Sequence, residues 1–289
     1  MSGHPIQGTI IRFLPEFEAL TGISVIVDVL PEEDFFQKLH IDFESGQGEV
    51  DVFMTSPLYQ WQYAQAGWIE DLSPYLDNPV LTDKQWFNPD DFFPVLWKAS
   101  RWNGTIGGGL GQGALYSIPV WWEGSNLMYR KDLAATYGFV EPKTWDELYQ
   151  QVTQISKRAK GKLHGFAGRG IRSWSQIHTY NLTMMASQGG RDLDPSTGKA
   201  EFNSPVGIEV GQYWIKMMRD AGTSKWPTYN WYEIAEEFQA GEYFAVMDAN
   251  PFSIILEAKG SPSEGRWVTY CRHRGKKGRS PLYGCGHLG

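Results

Sequence analysis

Residues 118–133 read IPVWWEGSNLMYRKDL. SNLMYR has the pattern of a strand, and KDLAATYG, at 131–138, continues it into a short helix ended by glycine. On the other side, ALYSIPV at 114–120 reads as another strand. Between the two lie Trp121, Trp122 and Glu123, at the point where one alternating region gives way to the next.

Upstream of this junction, helix and strand signals alternate. In PIQGTIIRFLPEFEALTG, residues Ile10, Phe13, Leu14, Phe17 and Leu20 follow helical spacing, with Gly22 as the stop. ISVIVDVL at 23–30 and VDVFMTS at 50–56 are short and β-branched, which predicts strands. EEDFFQKLHIDFESG and PLYQWQYAQAG read as helices closing at Gly46 and Gly67. Downstream, Thr144 is an N-cap with Glu147 three residues on, the spacing of a capping box. HGFAGRG follows as strand and loop, and SWSQIHTYNLTMMASQGG as a helix ending at Gly189 and Gly190. Ser204 and Pro205 open a further helix, YEIAEEFQAGE another, and YFAVMDANPF reads as a strand and turn. Alternation of this kind predicts two α/β lobes on largely parallel sheets, with a junction near residues 117–121.

The bulk composition narrows the function classes. The chain has 289 residues, enough for one large or two medium domains. Its net charge of −7 argues against a nucleic-acid partner, which would require a basic face. Aromatic residues make up 15%, with 13 Trp and 14 Tyr, and such an excess suits either a flat-walled cleft or a ring-rich core. No apolar run reaches the ~20 residues that span a bilayer, and MSGHPIQGTI lacks the pattern of an export signal. Cys271 and Cys285, both near the end, match no zinc spacing.

Catalytic motifs are missing from the sequence: it has no GxSxG, no HExxH and no clustered histidines, so neither metal nor cofactor is expected. Carboxylates are abundant, which keeps a carbohydrate-active enzyme using Glu123 or Asp248 as an alternative reading, with a non-functional fragment as the other. The glycine-rich RWNGTIGGGLGQGALY runs into a strand rather than a phosphate-cradling helix, so it reads as a turning loop. WWEGSN, GRGIRSW and MDANPF each combine rings with charged or amide groups at a strand or loop end. Rings stack on the C–H faces of sugars and polyols, while charged and amide groups take hydroxyl pairs.

Several motifs in order resemble extracellular solute-binding protein family 1, which includes maltose-binding protein. They are PEFEALTGISVIV, VDVFMTSPLYQWQYAQAGWIEDLSPYL, the 118–133 block followed by TWDEL, FNSPVGIEVGQYW and EEFQAGEYFAVMDANPF. GRGIRSWSQ followed by GG further resembles the branch that binds polyols or related sugars. The resemblance implies an α/β, two-lobe periplasmic-binding-protein-like fold with a hinge, here truncated at both ends. Residues 1–118 would form the first lobe without its first strand, 119–267 the second, and 268–289 would return to the first. It implies a monomeric, non-enzymatic receptor, periplasmic or at the cell surface. Such a receptor binds a sugar or polyol between its lobes and delivers it to the membrane subunits of an ABC permease, lobe closure being the signal. Carried over by position, the ligand-binding residues would be Thr55 and Ser56 after the strand VDVFM, Glu123 past the hinge strand, Arg169 and Trp174 in the second lobe's wall, and Asn250 and Phe252 after FAVMD. Trp122 joins them from its place beside Glu123, with Trp121 packed behind, because strand neighbours point to opposite faces.

The tail GRWVTYCRHRGKKGRSPLYGCGHLG departs from the family. Reading the codons of Trp267–Gly275 one nucleotide earlier permits Val-Gly-Tyr-Val-Leu-Pro-Pro-Pro-Gly, the turn the family would show. An out-of-frame tail is therefore expected, with Cys271 and Cys285 as its by-products.

Overall fold

The structure is a computed structural model that describes residues 6–173, 175–194 and 196–270. The tail from 271 onward, with both cysteines and residues 271–275 of the proposed frame change, lies outside the described residues. The chain divides into two compact units, Met1–Trp122 and Glu123–Gly289.

The first unit is mostly helical: α1 (Ile6–Thr21), α2 (Glu32–Ser45), α3 (Pro57–Ala66), α4 (Ser73–Asp77) and α5 (Pro94–Ala99). Its helix ends follow the sequence signals. Gly46 and Gly67 adopt left-handed backbone and return their N–H groups to Asp42 and Ala64 carbonyls, and Gly22 does the same to Glu18. The core is a cluster of rings. Tyr63 is fully buried, Tyr59 stacks parallel to it at 5.6 Å, and Phe43 stacks on Trp68 at 5.4 Å. His40 meets both tyrosines edge-on. Much of the aromatic excess therefore packs a core.

The two strands expected here do not form. Residues 22–29 and 47–56 run as irregular backbone, with Ile26 93% and Val52 89% exposed. β-branched sequence suits a pleated surface, but a strand exists only when a neighbour takes its backbone hydrogen bonds. ALYSIPV is cut short as well. Only β2 (Ala114–Leu115) pairs, antiparallel, with β1 (Arg101–Trp102), and 116–124 form no strand. The glycine-rich stretch between them is a turning loop, as its sequence predicts. Gly113 has φ +81°, and a Cβ there would sit 2.3 Å from the Trp102 carbonyl oxygen.

The second unit is built on a sheet of four strands in the order β4-β5-β3-β6. These are β3 (Ser125–Arg130), β4 (His164–Ala167), β5 (Tyr243–Ala249) and β6 (Trp267–Tyr270). Only β4 and β5 run parallel; β3 is antiparallel to both β5 and β6, so the sheet is mixed rather than largely parallel. Where the sequence reading returned 268–289 to the first lobe, 268–270 instead pair with β3. On one face, α7 (Trp145–Ala159), α8 (Ile177–Ser187) and α9 (Pro205–Ala221) pack through Leu148, Val152, Met185, Trp214 and Met218. On the other, α10 (Trp231–Ala240) and α11 (Phe252–Leu256) pack through Ile234, Phe238 and Leu256. The short α6 (Lys131–Tyr137) follows β3 directly. Covered on both sides, β5 is buried at every residue and reads as an apolar run broken only by Asp248.

Caps fix these helices. Thr144 Oγ1 accepts from Glu147 N at 3.1 Å, while the Glu147 carboxylate bonds Lys143 N at 2.6 Å, one residue before the cap. Ser204 Oγ accepts from Gly207 N. Asn230 and Glu233 complete a full capping box at α10. Gly165 lets β4 approach α7: a Cβ there would lie 1.8 Å from the Val152 carbonyl oxygen. Gly165→Ala should lower stability by about 3 kcal/mol through overpacking, read as a fall in urea midpoint at unchanged m-value.

Candidate functional site

Three of the sequence-predicted segments meet at one edge of the second unit's sheet. β4 and β5 are parallel, so GRG after β4 and NPF after β5 leave the same edge, with Ala167 paired to Val246. β3 runs the other way, so it begins there, with Ser125 paired to Ala249. In open α/β sheets the carboxyl ends of parallel strands are where ligands bind, because loops diverge there and leave a crevice.

The edge is held by a buried ion pair. Arg169 Nε donates to Asp248 Oδ2 at 3.0 Å and Nη2 to Oδ1 at 2.5 Å. The side chains are 9% and 0% exposed. Arg169 Nη1 donates to the Ser175 carbonyl at 2.8 Å, and Ala249 N adds a bond to Asp248 Oδ1 at 2.7 Å. The glycines around Arg169 are sterically required. A Cβ on Gly168 would meet the Trp214 ring at 2.5 Å, and one on Gly170 the Trp226 carbonyl oxygen at 2.0 Å. Gly170 N and Ile171 N both donate to the Tyr229 carbonyl at 3.0 Å. Tyr229 is held in turn: its hydroxyl and that of Tyr243 donate to the two oxygens of Glu237. Burial and the adjoining carboxylate push both phenols well above their ordinary range.

Asn250 closes the other corner. Its Oδ1 accepts from Gly124 N at 2.8 Å, and its backbone N donates to Gly124 O at 3.0 Å. Glu123, one residue earlier, is exposed. Ser125 Oγ shares a hydrogen bond with Thr183 Oγ1 at 3.1 Å.

The expected site residues thus divide. Glu123, Arg169 and Asn250 are brought to one edge. Arg169 is there as the partner of an acid, its fork occupied by Asp248, rather than as an open ligand donor. Phe252 is corrected outright: at 2% exposed it packs with Met128, Phe238 and Leu256, and its ring belongs to the core. Asp248 is also corrected as a candidate acid or base, since both its oxygens are bonded in a fully buried pair. In the first unit, Ser56 Oγ accepts from Leu58 N as the N-cap of α3. Thr55 Oγ1 is buried without a hydrogen-bond partner among the described residues. Trp122 is half-buried and meets Phe93 edge-on at 6.4 Å; with 116–124 not a strand, the alternation argued for it and Trp121 does not apply. Trp174 lies outside the described residues. Sequence reasoning passed over TYNWY at 228–232. There the Tyr229 carbonyl fixes the Arg169 loop, and Trp231 and Tyr232 place two rings 3.8 Å apart at the start of α10. An asparagine cap amid three rings was the available signal. Among the described residues no three His, Cys, Asp or Glu gather to hold a metal, and no helix is long and apolar enough to cross a membrane.

The profile of the bacterial extracellular solute-binding proteins matches residues 3–266. The chain belongs to that family. Its members are binding proteins, and curated relatives resemble this chain in sequence over most of its length. The erythritol/L-threitol-binding protein of Mycolicibacterium smegmatis is 34% identical over 264 residues, which are 90% of this chain and 55% of that protein. The mannitol-binding protein of Pseudomonas aeruginosa is 23% identical over 224 residues, 77% of this chain and 47% of that one. The chain thus spans about half the length of these relatives. The fold matches an ABC transporter solute-binding protein from Agrobacterium radiobacter, solved with ribitol. Its TM-score is 0.82 at 20% identity, covering 97% of this chain and 66% of that one. The solute-binding-protein fold expected from the motifs is therefore the one observed.

Breaking the buried pair should be costly. Arg169→Ala leaves Asp248 charged and unpartnered, and should lower stability by about 3–5 kcal/mol. The double change Arg169→Met with Asp248→Leu should recover most of that loss. Denaturant titration of the three variants measures both.

Proposed function

We propose that this chain is the substrate-binding component of an ABC importer and that it binds a small polyol without chemical turnover. The observation that carries the reading is the convergence of Glu123, Asn250 and the Arg169 loop at the carboxyl edge of β4 and β5. The 34% identity to an erythritol/L-threitol-binding protein supports a polyol as ligand class.

In this reading Glu123 and the Asn250 amide nitrogen take hydroxyl pairs. The carboxylate accepts from vicinal hydroxyls, and the amide donates to one. Charge-assisted bonds of this kind make such a site selective, because a ligand lacking one hydroxyl leaves a group unmatched. Trp122, next to Glu123 in the chain, supplies a ring for the C–H faces. Arg169 and Ser56 act as positioning residues: one anchors a loop, the other caps a helix. The partners are the membrane subunits of the permease, and the setting is the periplasm or cell surface. The commitment of Asp248 to Arg169 weighs against glycoside hydrolysis, which needs two available carboxyl groups.

Calorimetry of the full chain against erythritol, L-threitol, mannitol and maltose tests the reading. Binding of at least one polyol with no product formed is expected, and Glu123→Ala should weaken it about tenfold or more, the loss of one charge-assisted hydrogen bond. Failure of the whole panel to bind, or turnover abolished by Glu123→Gln, would sink the proposal.

A further inference from the structure

The opposite end of the second unit's sheet holds a cavity of about 360 Å³ with an unusual charge. Arg130 at the end of β3, Lys162 just before β4 and Arg266 just before β6 all line it, together with Tyr137 and Gly241. The Arg130 side chain is nine-tenths buried and spends Nε and Nη2 on Asp132, at 2.8 and 2.6 Å. Its Nη1 is left without a hydrogen-bond partner among the described residues. Gly241 keeps the space beside it open, since a Cβ there would come within 3.2 Å of Nη1. Lys162 and Arg266 are exposed and form no ion pair among the described residues. Asp132 is the acid facing these groups: the Arg130 hydrogen bond holds its carboxyl below the ordinary range, and the Arg266 charge adds to this. At the rim, Arg158 lies 5.4 Å over the Tyr137 ring and bonds the Tyr137 carbonyl.

The ordinary explanation for basic residues here is the carbonyl end of α7, which attracts Lys157 and Arg158 in its last turn. It extends to Lys162, whose N–H bonds the Ala159 carbonyl, but not to Arg130 at the end of β3 or to Arg266 on the loop before β6. In a chain of net charge −7, SKRAKGK at 156–162 carries four cations and no acid, and its Lys162 lines this cavity. We propose that the cavity binds a phosphate group, with Arg130 Nη1, Lys162 and Arg266 as donors. Guanidinium forks match phosphate oxygens, and the buried Arg130 is held in place before any ligand arrives. The volume exceeds that of inorganic phosphate alone, so the group can belong to a free phosphate species or to a lipid headgroup.

Two binding measurements on the full chain test this at low ionic strength. One titrates inorganic phosphate by calorimetry. The other co-sediments the protein with vesicles of equal parts phosphatidylglycerol and phosphatidylcholine, against phosphatidylcholine alone. Binding is expected in at least one arm and should weaken with added salt. Arg266→Ala and Lys162→Ala should each reduce it about tenfold, the loss of one charge-assisted contact, with polyol affinity and unfolding midpoint unchanged. Binding confined to the phosphatidylglycerol vesicles assigns the headgroup; binding of inorganic phosphate assigns the free species. No binding in either arm, or binding unaltered in both variants, overturns the proposal.

Discussion

A guanidinium pinned against a carboxylate inside the protein sets the geometry of the second unit's working edge. Arg169 reaches from the loop after β4 to Asp248 at the end of β5, and from there to the carbonyl of Ser175. Removing two such charges from water is expensive, so the pair is a poor source of stability on its own. What it provides is position. Strands β4 and β5 share only a short parallel ladder, and the loops leaving them would otherwise diverge freely. With the fork in place, and the next two amides held by the Tyr229 carbonyl, the loop is tied down at three successive residues. The Asn250–Gly124 exchange does the same for the neighbouring corner.

The legibility of the sequence followed how local each cause is. Helix ends were readable because caps and glycine stops act within a turn: Thr144, Ser204, Gly46 and Gly67 all sit where their chemistry places them. β5 was readable because it is buried on both faces. ISVIVDVL and VDVFMTS were misread because pairing depends on a partner elsewhere in the chain, which β-branching does not specify. The direction of β3 against β5 was hidden for the same reason.

The site shows the same division. The three segments were found because rings mixed with polar groups at strand ends are visible one stretch at a time. Their individual roles were not, since the fork of Arg169 is occupied by a residue 79 positions away. Phe252 looked like a contact from its position after FAVMD, but it opens α11 and its ring packs in the core. The 228–232 segment was overlooked because its chief contribution is a backbone carbonyl, and any residue type offers one.

The ring cluster of the first unit has an optical consequence. Tyr59 and Tyr63 lie within 3° of parallel, and Phe43 faces Trp68, so their transitions couple in a fixed chiral arrangement. Near-ultraviolet dichroism therefore comes from both units, the second contributing through rings such as Trp231 and Tyr232 and the buried Trp145 and Trp214. Loss of the near- and far-ultraviolet bands at different denaturant concentrations would show that side-chain packing and helix are not lost in one transition; loss together is what one cooperative transition requires. The same aromatic excess that suggested a ligand cleft thus makes the packing of the rings visible by spectroscopy.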